Sequence, residues 1–209
     1  MRLGGYGLRF AVIAFAMACA SCASVIAPQV STDPTEIRPG AYQLDQQHAS
    51  IIFKIGHLGF SDYVGRFNRF DASLDFNVSE PTATRVDAVI EINSLDVAND
   101  AFAETLTGPG WFNAQEHPQA VFQSNRLEVT GENTGNLHGD LTLNGITQPV
   151  VMDVTFNGGG FDILRNAYIV GVSAETEIQR SAFGLRRFIP LVSDDVTLEI
   201  EAEFMRQTP

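Results

Sequence analysis

Val196-Thr197-Leu198-Glu199-Ile200-Glu201-Ala202-Glu203-Phe204 is the stretch that decides the fold. Apolar side chains stand at the even positions and polar ones at the odd positions. That period belongs to a strand with one dry face and one wet face. The same alternation recurs upstream. Phe70, Ala72, Leu74, Phe76 and Val78 oppose Asp71, Ser73, Asp75 and Asn77. Val86, Ala88, Ile90 and Ile92 oppose a face carrying Asp87 and Glu91, and Val150, Met152, Val154 and Phe156 oppose Asp153 and Thr155. Asn144-Gly145 separates Leu141-Thr142-Leu143 from a run starting near Thr147. This is a strong two-residue hairpin signal, because both residues tolerate the positive φ that a type I′ turn needs. Further strands are expected at 49–55, 119–129, 137–144 and 167–179.

Short links between these runs allow antiparallel pairing throughout. Open sheet edges invite pairing with other chains, so closure is favoured. The expected fold is therefore all-β, an antiparallel up-and-down barrel of about eight strands. Residues 98–117 break the rhythm. Ala101 to Leu106 predicts a short helix ended by Gly108-Pro109-Gly110, lying near one mouth with Trp111 and Phe112 turned inward. Gly158-Gly159-Gly160 reads as a flexible hairpin tip.

Ahead of the alternating region, Arg2 and Arg9 precede an apolar run from Phe10 to about Ala20, too short to span a bilayer and flanked as a signal peptide is. Residues 1–22 are read as that leader. The only two cysteines, Cys19 and Cys22, both follow small residues in it. Two outcomes stay open: ordinary cleavage, or lipoprotein-type processing in which one of them carries the lipid. Residues 23–40, rich in Ser, Thr, Asp and Pro, read as a flexible tether, and residues 41–206 as the barrel domain. An exported protein follows, held to the outer membrane if a cysteine is lipidated.

Two cysteines confined to the leader exclude a disulfide framework and a cysteine metal site in the barrel. Loss of the leader arginines takes the net charge from −12 to −14. Such a body repels nucleic-acid phosphates, so no nucleic-acid partner is expected. Fifteen phenylalanines stand against one tryptophan and four tyrosines. Phenylalanine makes no hydrogen-bond demand and suits a dry wall. An eight-stranded barrel is just wide enough to be filled by its side chains or to hold one ligand, and the composition leaves both open.

Catalytic machinery is hard to find. The four histidines, His48, His57, His117 and His138, show no ligand spacing, so no metal is expected. Ser181 lacks the small-residue elbow of a hydrolase serine. His57, bracketed by Gly56 and Gly59 after a strand, is the histidine placed to touch a ligand headgroup.

Ordered blocks carry a family resemblance. Tyr42-Gln43-Leu44-Asp45, then His48 through Gly59, then Gly65-Arg66-Phe67 with Phe70 open the series. Trp111-Phe112-Asn113 with His117-Pro118 and Phe122 follows, then Gly139 to Gly145 with Thr147 and Pro149, then Arg180-Ser181-Ala182-Phe183-Gly184. In this order and spacing, from about 42 to 204, the chain resembles the YceI-like, polyisoprenoid-binding family. It departs at Ala182, where the family usually has an acidic residue, and at Asn144, where it often has histidine.

The resemblance implies a lipocalin-like barrel, a periplasmic or extracellular location, and a long isoprenoid lipid or quinone held along the barrel axis, with no other cofactor required. Phe53, Phe60, Phe67, Phe70, Trp111 and Phe112 are expected to line that site, with Phe122, Leu141 and Phe183. Arg66 and Arg180, from the family blocks, are the candidates for a polar headgroup. The expected function is non-enzymatic binding, transport or storage of the lipid. The alternative is a periplasmic redox accessory that presents a quinone, or a haem on His57, to a membrane partner. A homodimer is compatible with either.

Overall fold

The row from Val196 to Phe204 lies on a fifteen-residue strand, Val192–Arg206, and its even-numbered side chains all face one shared interior. In the computed structural model, residues 29–207 are described. The leader, with Cys19 and Cys22, lies outside them. Ten strands are formed: β1 (Gly40–His57), β2 (Ser61–Phe67), β3 (Phe70–Phe76), β4 (Arg85–Glu91), β5 (Leu95–Asp96), β6 (Gln119–Val129), β7 (Thr134–Leu143), β8 (Ile146–Asp162), β9 (Ala167–Gln179) and β10 (Val192–Arg206). All pairings are antiparallel.

β2 and β3 run one after the other along β1, and β5 and β4 run along them in turn. Each couple is one stave interrupted by a short irregular step. Eight staves result, each beside its sequence neighbour, and β10 pairs back onto β1 from Tyr42↔Arg206 to His57↔Val192. The sheet is a closed up-and-down barrel, as the alternation predicts.

Irregularities in the ladder keep the apolar side inward. β1 has a register shift between Leu44 and Ala49, and its inward set changes from even positions, Tyr42 and Leu44, to odd ones, Ile51, Phe53 and Ile55. β6 does the same between Ser124 and Arg126, passing from Ala120 and Phe122 to Leu127 and Val129. A bulge of this kind re-aims every side chain after it. At the β7–β8 turn Asn144 and Gly145 have φ of 52° and 73°, the left-handed pair a type I′ turn requires. Asn144 Nδ2 also donates to the Phe183 carbonyl at 3.0 Å.

The helix is present as α1 (Asp100–Thr107). Asn99 caps it by accepting from the Phe102 N–H at 3.0 Å, and Gly108 with Pro109 ends it. It bridges β5 and β6 at the end of the barrel that also carries the β1–β2, β7–β8 and β9–β10 connections.

Two expectations change. Gly158-Gly159-Gly160 is not a hairpin tip: these residues lie inside β8, and the tip is at 163–166. Nor does the segment expected as a tether hang free from Gln29 onward. β8 outruns β7, which stops pairing at Thr134↔Thr155, and so leaves an edge uncovered. Ser31 covers it through two backbone bonds with Gly159, both 2.9 Å. The glycines make this approach possible. A Cβ at Gly160 would lie 2.3 Å from the Gln29 carbonyl oxygen, and one at Gly158 would lie 2.5 Å from Val30. Ile37, 2% exposed, then plugs into a cluster with Tyr42, Leu74, Val170 and Phe204. A polar composition hides one buried isoleucine and a ready edge.

The β8–β9 hairpin is tied to β1 and β10 by Arg165. Its guanidinium donates to Asp162 (2.7 Å), Asp45 (3.0 Å) and Glu203 (2.6 Å) and lies 3.2 Å from His48 Nδ1. Burial pushes the Asp45 carboxyl up, but bonds from His48, the Gln47 N–H and Arg165 outweigh it and hold the group below its ordinary range. Asp45, His48 and Glu203 have metal-like spacing, yet the arginine already sits among their ligand atoms.

Ile37→Ala is expected to destabilise the barrel by about 2–4 kcal/mol, read from the urea midpoint at constant m. A variant as stable as the parent would show that residues 29–39 are a free tether after all.

Candidate ligand-binding site

Each of the eight staves contributes inward side chains to a cavity of about 1150 Å³ that runs between the two ends of the barrel. That is above the usual range for sites of drug-sized ligands. β6 has eleven residues; at ~3.3 Å per residue and a tilt of 35–45°, the wall is about 25–30 Å tall. The site is long and narrow.

Two features leave this room. Ala72, Ala88, Ala120, Ala174 and Ala202 line the cavity, and Ala72 is the direct cross-strand neighbour of Ala88. Large rings are also folded onto the wall. A Cβ at Gly65 would lie 2.3 Å from the Phe53 ring, and one at Gly139 would lie 2.5 Å from the Phe122 ring. Each phenylalanine therefore occupies the place of a missing side chain across the ladder and leaves the axis clear.

The middle of the cavity is apolar, and its charged neighbours are confined to the ends. Asp33 and Glu132, with Thr32, Thr35, Asn77 and Asn133, stand at the mouth crossed by the N-terminal segment. His57 and Arg180 stand at the mouth under α1, with Tyr63, Phe102, Leu106, Trp111 and Phe188. Aromatic contacts build this second mouth: Phe53 to Phe67 (6.0 Å), Phe67 edge-on to Phe112 (6.1 Å), Tyr63 edge-on to Phe102 (5.9 Å) and Trp111 to Phe188 (6.0 Å). Among the described residues, every buried side-chain nitrogen and oxygen has a hydrogen-bond partner. The walls thus hold no orphan polar group waiting for a headgroup, and selection in the middle rests on apolar contact and length.

Of the residues singled out from sequence, Phe53, His57, Phe67, Phe70, Trp111, Phe112, Phe122, Leu141 and Arg180 line the cavity. Three do not. Phe60 is 88% exposed on the β1–β2 turn. Arg66 points outward, because Gly65 and Phe67 on either side of it face in and the strand period is two. Phe183, 1% exposed, packs within the wall among the core residues beside the cavity.

Arg180 lines the mouth but is not free to reach a headgroup. Its guanidinium donates to the carbonyls of Ser193 (2.7 Å), Leu185 (2.6 Å), Arg187 (2.9 Å) and Val192 (3.0 Å), occupying four of its five N–H groups. It fastens the 184–191 loop to the start of β10. Burial pulls its pKa down, and nearby Asp194 works against that. Asp194 in turn is held below the ordinary carboxylate range by the Ser181 hydroxyl (2.6 Å) and N–H (2.8 Å). Ser181 is thereby a structural donor. His57 is the only histidine of the cavity lining, exposed on the rim with its ring 6.4 Å from Tyr63.

Sequence reading missed Phe188 and Asn77 because they lie in loops, which carry no period, and missed Tyr63 on the short β2 and Phe102 on α1, where too few residues alternate to mark an inward face. The alternation did place Phe76 and Phe156 inward, where they stack at 6.3 Å near the other end.

Comparison with known proteins agrees with this geometry. A profile of the YceI-like domain matches residues 42–204. A UPF0312 protein of Azotobacter vinelandii is 34% identical over 168 residues, covering 79% of this chain and 87% of its own length. One from Pectobacterium atrosepticum is 37% identical over the same length, covering 79% and 86%. Among solved structures, Burkholderia cenocepacia BcnA superposes with a TM-score of 0.69 at 23% identity, over 77% of this chain and 98% of that one. The Campylobacter jejuni YceI protein gives 0.64 at 27% identity, over 73% and 90%. A polyisoprenoid binding domain from Saccharophagus degradans, implicated in plant cell wall breakdown, gives 0.61 at 13% identity, over 81% and 100%.

Ala88→Phe fills the lumen beside Ala72 and Phe122 at an overpacking cost of about 1–3 kcal/mol. The variant is expected to fold, judged by its thermal transition, and to lose uptake of a fluorescent polyprenol analogue. Undiminished uptake by the folded variant would place the binding site outside the cavity.

Proposed function

The chain belongs to the YceI-like domain family, and from that premise we propose that its barrel binds a long-chain isoprenoid lipid or isoprenoid quinone along its axis, without catalysing a reaction. The observation that carries this is the shape and dryness of the cavity: about 1150 Å³, reaching both ends of the barrel, and apolar between them. Burial of each methylene contributes about 0.8 kcal/mol. Association costs roughly 4–15 kcal/mol in lost freedom and ordering. A short apolar molecule barely offsets that cost. A chain of several isoprene units exceeds it, so a lumen of this length selects long ligands.

The Saccharophagus degradans domain, which shares the fold, is described as polyisoprenoid binding. At 13% identity that likeness is one of fold, so the ligand class rests on the lumen and its length. A headgroup would lie at a mouth, where polar and charged side chains are found, and His57 is the ionisable side chain at the α1 mouth whose ring is open to solvent. Carriage or storage in the periplasm, with an acyl anchor at Cys19 or Cys22, completes the proposal and rests on the leader sequence.

Protein purified from its native compartment and extracted with organic solvent is expected to release one isoprenoid per barrel by mass spectrometry. Release of bulk phospholipid alone, together with no saturable binding of added polyprenol or quinone, would overturn the reading.

A further inference from the structure

The two mouths differ in what surrounds them. Leu58, Phe102, Phe188 and Leu191 line the cavity at the α1 end and are also exposed on the outer surface, Phe188 and Leu191 by 61% and 60%. Phe60 stands beside Leu58 and is the most exposed large apolar residue among those described. Apolar side chains of the lumen wall are therefore also part of the outer surface at this rim. At the opposite mouth the rim is mostly polar, with Thr32, Asp33, Asn77 and Glu132, and Val129 is the one strongly exposed large apolar side chain of the lining there among the described residues. That end also exposes Val30, Phe161, Ile163 and Leu164, on the N-terminal segment and the β8–β9 hairpin, but none of them lines the cavity.

The apolar rim is held outward by construction. The Leu58 N–H donates to the Leu191 carbonyl at 2.9 Å, which joins the β1–β2 turn to the 184–191 loop. The same loop is fastened from beneath by the buried Arg180 guanidinium. Leu58 and Phe188 have φ of 53° and 63°, a left-handed backbone that bulky residues seldom adopt. Such conformations persist where the surroundings impose them, and they concentrate at functional positions. The Arg187 guanidinium lies 5.6 Å from the Trp111 ring centroid on the same rim. An aromatic side chain paired with a cation suits the headgroup level of a bilayer.

We propose that the α1 mouth docks on a lipid bilayer, with Phe60, Phe188 and Leu191 entering its interface, and that the isoprenoid passes through this mouth. A bilayer is the occupant that suits the continuity of the surface: a lipid tail crosses from membrane to lumen without meeting water. This inference rests on the lumen being the lipid site. Attraction comes from buried apolar area. The chain's net charge of −12 opposes approach to anionic lipid, so added salt should not weaken docking.

The test is flotation of the full chain with isoprenoid-free phosphatidylcholine vesicles, comparing the parent with Phe60→Asp, Leu164→Asp and Ala88→Phe. Phe60 is exposed and outside the lumen, so its substitution leaves the fold and polyprenol uptake from solution intact. Phe60→Asp is expected to lower vesicle partitioning about tenfold and to slow polyprenol transfer between vesicles in proportion. Leu164→Asp, at the other end, is expected to float as the parent does. Ala88→Phe is expected to float although its lumen is blocked, so a failure of the lumen reading and a failure of docking give different patterns. Flotation unchanged by Phe60→Asp, as attachment through the leader cysteines would give, overturns the proposal. So does a parent that stays in solution as a dimer which Phe60→Asp converts to monomer, because a second copy then covers this face.

Discussion

The ladder between β1 and β10 turns a sheet with two raw edges into a tube, and the other properties of the protein depend on that closure. It runs nearly the full length of both strands, from Tyr42↔Arg206 to His57↔Val192. Once the tube is closed, strand alternation acquires a single meaning: one parity faces a common interior and the other faces water. Each stave must then keep its apolar set inside. The register shifts in β1 and β6 do this, switching the inward parity where the strands would otherwise turn apolar residues outward.

Closure creates an interior, and the side-chain sizes decide whether it is a core or a container. An eight-stranded tube can be filled by ordinary side chains. Here a belt of alanines and the placing of Phe53 and Phe122 over glycines keep the axis open. A large aromatic complement and a spacious lumen coexist because the rings cover the wall. The same economy of space appears at β8, where Gly158 to Gly160 admit the N-terminal segment onto an edge that β7 does not reach.

Much of this was legible in the residue pattern, and the rest was hidden for physical reasons. Period-two alternation gave the inward faces of β3, β4, β8 and β10, and Asn144-Gly145 gave its turn, since strand period and turn chemistry are local properties. The outward position of Arg66 is equally local, fixed by its place between Gly65 and Phe67. A residue that marks a family is not by that fact a ligand contact. The roles of Gly158–Gly160, Ile37 and Arg180 are not local. The glycines look like a loop until a distant segment is laid across them. Arg180 looks like a free cation until the four carbonyls of a later loop close around it. Exposed Phe60 has no period to betray its direction.

The proposed function stands on a long apolar ligand lying along the barrel axis, between the two mouths. Crystals grown with a polyprenol brominated at its far terminus, with data collected at the bromine absorption edge, test it directly. Continuous density passing Phe53, Ala88 and Phe122 is expected, with one anomalous peak inside the lumen. Bromine found only on the outer surface, with side chains filling the axis, would contradict it.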